Sequence, residues 1–167
     1  MTFRPASADD VPHVLPMVQK LATLHESWDP AKYGYKPDVA EMYRSWLTAR
    51  SADPKSVFLV AQREGRLVAF LVGTVEHEIP VYRLIEYGFI HDVWVEEPYR
   101  HEGIARQLTM LAIERFADMG VKQVRLDTAF ANDVARALFA GCGFHESTRE
   151  MLLTIQSNPN SEIRIPK

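Results

Sequence analysis

Cysteine is almost missing: Cys142 is the only one in 167 residues. No disulfide can close within the chain, and a thiolate zinc site would lack its usual partner thiols. The six histidines show no His-x-x-x-His or comparable spacing, so no metal is expected. No stretch approaches the run of about 20 apolar residues that spans a bilayer, which excludes a membrane span. The opening Met1-Thr2-Phe3-Arg4-Pro5 has neither the basic start nor the apolar run of an export signal, so a cytoplasmic protein is expected. Positive charge is not in excess either. Nineteen Lys and Arg against 22 Asp and Glu give a net charge of −3, which argues against the basic face of a nucleic-acid binder. A mildly acidic surface does not repel a cationic amine.

What is present is an ordinary globular composition, with 47% hydrophobic and 25% charged residues, in a length typical of one domain. One domain over residues 1–157 is expected, with a loosely ordered tail over 158–167. The start of the chain reads as a short strand. Asp9-Asp10-Val11-Pro12 then opens a stripe of Val14, Leu15, Val18, Leu21 and Leu24, which predicts an acid-capped helix. From Glu26 to Pro37 the pattern breaks into a turn-rich loop carrying Trp28, Tyr33 and Tyr35, and a second helix runs through Met42, Trp46 and Leu47. Two β-rich runs, 56–63 and 66–75, flank Glu64-Gly65, a hairpin signal.

Tyr87 to Val95 reads as a strand, and 103–119 as a helix with Ile104, Leu108, Leu111, Ala112 and Phe116 on one face. Gly120 ends that helix, and Val121 to Ala129 alternates as a strand parallel to the previous one. A short helix over 133–140, capped by Asn132, and a last strand around 151–155 complete the order. The pattern predicts a mixed α/β sheet with one β-α-β crossover.

The stretch from Val93 to Ala105 places a strand, a break and a small-residue loop ahead of a helix N-terminus. The first amides of a helix have no internal partner and lie at the positive end of its dipole, so such a junction can bind phosphate. Gly103 and Ala105 permit close approach, and Arg100 can add charge-assisted contacts. Alone, Arg-x-x-Gly-x-Ala also fits a plain strand-to-helix turn. A second segment, Asn132-Asp133-Val134-Ala135-Arg136-Ala137-Leu138-Phe139, leads to Gly143-Phe144. Together the two segments resemble the GNAT superfamily of acyl-CoA N-acyltransferases, through its pyrophosphate loop and its Asn-x-x-Ala-x-x-Leu-Tyr-x-x-x-Gly-Phe pattern.

The resemblance implies a mostly antiparallel sheet with a central splayed parallel pair and helices on both faces. The pantetheine arm of acetyl-CoA would lie in the gap along the main chain of Trp94 and Val95. Arg100, His101, Glu102, Gly103, Ile104 and Ala105 would hold the pyrophosphate, with Asn132 and Phe139 also near the cofactor. It implies direct transfer of an acetyl group to an amine of a small molecule or peptide in a ternary complex, without metal, and leaves a homodimer open. Phe139 stands where the family usually has a tyrosine that protonates the thiolate, and Ala105 replaces a commoner glycine. The missing hydroxyl favours an alternative, a non-catalytic acyl-CoA sensor. For the base, His91 is the first candidate, with an imidazole that titrates near neutrality, and Glu86 acting through water is the second. Glu26, Trp28, Asp29 and Tyr33 fall in the loop that lines the acceptor pocket in the family, and carboxylates among aromatics suit a cationic amine.

Overall fold

The computed structural model describes residues 1–155. Five strands form one sheet in the order β1-β2-β3-β4-β5: β1 (Thr2–Pro5), β2 (Ser56–Arg63), β3 (Arg66–His77), β4 (Glu86–Val95) and β5 (Val124–Leu126). All neighbours are antiparallel except β4 and β5, which are parallel and joined by the crossover helix α4 (Ile104–Asp118). The mixed α/β architecture expected from the sequence is formed. Glu64 and Gly65 both take positive φ, 51° and 79°, as a two-residue hairpin turn of the primed kind requires.

Alternation along β2 and β3 divides the core between the two sheet faces. Phe58, Val60, Phe70 and Val72 pack against α1 (Val11–Trp28) and α3 (Val39–Ala52), where Val14, Val18, Leu21 and Leu47 are buried. Val57, Leu59, Ala69 and Leu71 pack against Ile104, Leu108, Ala112 and Phe116 of α4. That helix sits close to the sheet because Gly88 lies under it: a Cβ there would stand 2.7 Å from the Phe116 ring. Helices therefore cover both faces, and the loops at the carboxyl end of β4 are left to build a site.

Three differences from the sequence expectation have local causes. The turn-rich loop after α1 contains one helical turn, α2 (Pro30–Tyr33), because Asp29 caps it by accepting from the amides of Ala31 and Lys32 at 3.0 and 3.3 Å. The parallel strand is only three residues long, β5. The strand expected at 151–155 is not formed. Those residues find no neighbouring strand among the described residues, and Met151, Leu153 and Ile155 are 95%, 86% and 87% exposed, so β5 is the edge of the sheet that the described residues form. The tail expected over 158–167 lies outside the described residues.

Asp10 ties β1 to α1. It accepts both guanidinium arms of Arg4 at 2.7 and 2.8 Å, and the Ser7 amide at 2.8 Å. The Arg4 guanidinium holds its carboxyl down at about 2. A carboxyl depressed by folding contributes stability above its unfolded pKa near 4 and loses it as pH falls toward 2. Arg4 is 34% exposed, which screens the pair, so Asp10→Asn should cost about 1–2 kcal/mol at pH 7 and about half as much at pH 3. Denaturant melts of both proteins at the two pH values check this.

Candidate active site

The register between β3 and β4 slips by one residue. Val72 faces Asp92 and Gly73 faces Ile90, so His91 is an extra residue with no partner across the ladder. Such a bulge turns two consecutive side chains to one side of the sheet. Both His91 and Asp92 consequently meet α3. The His91 ring stands edge-on to Trp46, centroids 5.3 Å apart, and Asp92 accepts a hydrogen bond of 3.1 Å from the Tyr43 hydroxyl. Tyr43 and Trp46 lie one turn apart on that helix, hence on one face.

Asp92 is 8% exposed. Burial pushes its carboxyl up to about 6, and the Tyr43 hydrogen bond only partly opposes this; the Tyr43 hydroxyl is itself raised, by burial first and then by the Asp92 charge. The His91 side chain is 29% exposed, and burial lowers its pKa, with Glu76 opposing and Arg50 adding to the shift. Glu86, the other sequence candidate for a base, lies at the opposite end of the strand. His91 is five positions further on, about 16 Å along an extended chain. It is engaged by Lys55 at 2.7 Å and His77 at 3.0 Å, and the Lys55 ammonium lowers its pKa. The structure does not bring Glu86 and His91 together.

Beyond Ile90 and Leu126 the parallel pair ends, while β4 continues to Val95 with no neighbour on that side among the described residues. The Glu96 amide donates to the Val68 carbonyl, so by alternation Val95 and Val93 turn their main-chain groups away from β3, into the gap. The Val95 carbonyl accepts from Arg100 Nε at 3.1 Å, and the Arg100 guanidinium lies 4.9 Å from the centre of the Trp94 ring. Trp94 itself pairs with Phe70 and buries its ring in the core shared with α1 and α3.

The gap leads to the start of α4. His101 (φ 64°) and Gly103 (φ 79°) are both left-handed, and Gly103 occupies the cap position with no side chain bonded to the first-turn amides. Those amides are the orphans that attract an anion. His101, Glu102 and Gly103 are exposed, Ile104 is buried and Ala105 half-buried, so the loop is open to solvent while its helix is anchored. Glu102 braces the loop through an ion pair of 2.6 Å with Arg63 at the end of β2. Beside it stands α5 (Asp133–Gly141), whose Gly141 carbonyl accepts from Arg106 at 2.5 Å. Asn132 caps α5 by accepting from the Ala135 amide at 3.0 Å, and Phe139 is buried edge-on to Phe144.

This geometry, a strand freed on one side and aimed at an uncapped helix start, accompanies a sequence likeness. The pattern of the Acetyltransferase (GNAT) family matches residues 21–144. The chain belongs to that family. It is similar to N-acetyltransferase 8 of Homo sapiens, 29% identical over 110 residues, covering 66% of this chain and 46% of that protein. It is similar to aminoglycoside N(6')-acetyltransferase type 1 of Stenotrophomonas maltophilia, 23% identical over 137 residues, 81% and 89% of the two chains. A predicted acetyltransferase of Clostridium acetobutylicum, solved with acetyl-CoA, has the same fold at a TM-score of 0.74 and 16% identity, covering 92% of this chain and 95% of that one. The chain spans less than half the length of the first curated relatives it matches.

The residues expected on the acceptor side of this GNAT chain gather at the end of α1. Glu26 and Trp28 belong to its last turn, and the His25 ring packs 5.5 Å from Trp28 and 5.0 Å from Tyr33. Tyr35 reaches His25 Nδ1 at 3.4 Å. Burial raises both tyrosine hydroxyls, with Asp127 adding to the shift of Tyr33 and Asp92 to that of Tyr35. The aromatic lip therefore neighbours the bulge and the end of β5. Asp92, Tyr43 and Asp127 were missed by sequence reasoning. Simple alternation from His91 turns Asp92 to the other face, and nothing in the composition announces the bulge. Among the described residues no cluster of His, Cys, Asp and Glu could hold a metal, and no helix is long and apolar enough to cross a membrane.

Proposed function

We propose that this chain transfers an acetyl group from acetyl-CoA to an amine nitrogen with both substrates bound together. The observation that carries the reading is the continuity of three parts: the uncapped start of α4, the free side of β4 at Val93 and Val95, and the buried carboxyl of Asp92 at the bulge. The first can take the pyrophosphate on the amides around Gly103, helped by His101 and by Arg100 if it swings from the Val95 carbonyl. The second offers main-chain groups to an amide-bearing arm. Asp92 accepts a proton from the attacking nitrogen; its burial and raised pKa support this role, and His91 is its neighbour in the bulge. Acetyl-CoA, when bound, supplies the acetyl group and a thiolate leaving group; Phe139 has no proton to give it, so water serves.

Glu26, Trp28, Tyr33 and Tyr35 form the lip through which a cationic amine enters, and the carboxylates of Glu26 and Asp127 favour positive charge there. The alternative, an acyl-CoA sensor without chemistry, draws on Phe139. A buried carboxyl with a raised pKa favours catalysis instead, since pure binding gains nothing from it. The test is thiol release from acetyl-CoA with a library of small amines and peptides, with products identified by mass. Acetylated product in any well supports the enzyme. A thermal upshift with acetyl-CoA, absent with ATP, and no product from the whole library would leave the sensor.

A further inference from the structure

The mechanism above leaves unused the polar cluster that His91 forms with β3. Thr74 Oγ1 lies 2.6 Å from His91 Nε2 and 2.5 Å from Glu76 Oε1. The hydroxyl has one proton, and a carboxylate can only accept, so Thr74 donates to Glu76. The lone pair that Thr74 turns to His91 must then receive a proton from Nε2. Nε2–H is thereby retained in both charge states of the ring, and Nδ1 is the nitrogen that titrates. Thr74 is 4% exposed, which shields the arrangement from competing solvent. The charged groups facing the ring are Glu76 from β3, which favours the imidazolium, and Arg50 from α3, which disfavours it. Trp46 of α3 and Phe89 of β4 supply apolar walls.

Proton balance gives this arrangement a task. Acetylating an ammonium removes two protons from nitrogen; one matches the thiolate released, and the other must reach solvent in every turnover. Asp92 is nearly sealed, whereas His91, turned to the same side by the bulge, is 29% exposed. We propose that Thr74 and Glu76 are positioning residues that lock His91 with Nδ1 free, so that His91 carries the proton from Asp92 to solvent. In that step a water between the two side chains takes the proton as the Asp92 O–H bond breaks and gives up another as the Nδ1–H bond forms. Loss of the Nδ1 proton to water then returns the ring to its neutral Nε2–H form and leaves Asp92 ionised for the next amine. The inference rests on the transferase reading.

Nitrogen NMR of the His91 ring, with steady-state kinetics, tests both layers. The wild-type ring should be the Nε2–H tautomer above its midpoint. Thr74→Val should let the Nδ1–H tautomer appear and lower kcat about tenfold, with KM for the amine little changed. Thr74→Ser, which keeps the hydroxyl, should restore both. Glu76→Gln should move the His91 midpoint to lower pH, because it removes the charge that favours the imidazolium. An active wild type whose ring is the Nδ1–H tautomer overturns the proposal, as does an active Thr74→Val with unchanged tautomer and kcat. If the valine variant does not fold, an unmoved His91 midpoint in Glu76→Gln overturns it instead. A wild type that acetylates no amine sinks the transferase reading and the relay with it, and is recognised because the tautomer measurement needs no activity.

Discussion

Asp92→Asn should lower kcat by about 10² to 10⁴, the usual contribution of a positioned base, while making the protein more stable at neutral pH. The two effects share one cause. Folding raises the carboxyl from 3.8 to about 6, so between those values the folded chain holds a proton that the unfolded chain has released. Stability therefore falls as pH rises through that window and stays low above it. A shift of that size corresponds to about 3 kcal/mol when Asp92 is fully ionised. Asparagine keeps the shape and can still pair with the Tyr43 hydroxyl, but carries no charge to bury. Turnover measured beside denaturant melts from pH 4 to 8 checks both halves. A variant with near wild-type kcat, or one that melts earlier at pH 7, would refute the assignment.

Gly103→Val should nearly abolish acetyl-CoA binding. At φ 79° any L side chain is strained by about 1–2 kcal/mol, and a branched one fits worst. The space where a Cβ would stand is empty of protein, so the added methyls would project over the α4 amides where the pyrophosphate is proposed to sit. Losing two charge-assisted hydrogen bonds at about 1.5–3 kcal/mol each implies a Kd weaker by roughly 10² or more. Gly103→Ala separates the causes: it adds the strain without the methyls and should lose less. Calorimetry with acetyl-CoA on the three proteins gives the answer, and equal affinity in all three would remove the anion site from α4.

The elements that were legible in the sequence are those that a period or a turn residue announces. The stripe from Val14 to Leu21 forms α1, the run from Ile104 to Phe116 forms α4, and Glu64-Gly65 makes the hairpin, because each pattern is satisfied by contacts within one or two neighbouring elements. The segment 151–155 carried a strand-like composition too, yet a strand exists only when another offers a ladder, and none does among the described residues. The site was half legible for a similar reason. Small residues before a helix mark the loop at Arg100 to Ala105 directly. Asp92 and its partner Tyr43 are 49 residues apart, and their meeting depends on a register slip that leaves no trace in residue type.

That slip also settles a conflict of parity within β4. Gly88 has to face α4, where only a glycine clears the Phe116 ring, and Ile90 follows it to the same side. Asp92 and Trp94 belong to the opposite side, against α3 and α1. All four positions are even-numbered, so an unbroken pleat would send them to one face. One uncounted residue between them reverses the sense of the alternation. A chain with His91 deleted would have to choose, either driving Ile90 and Gly88 off the α4 core or rotating Asp92 and Trp94 out of theirs. Position 91 is therefore far less tolerant of deletion than of substitution, since its presence keeps the two halves of the strand in phase with different helices.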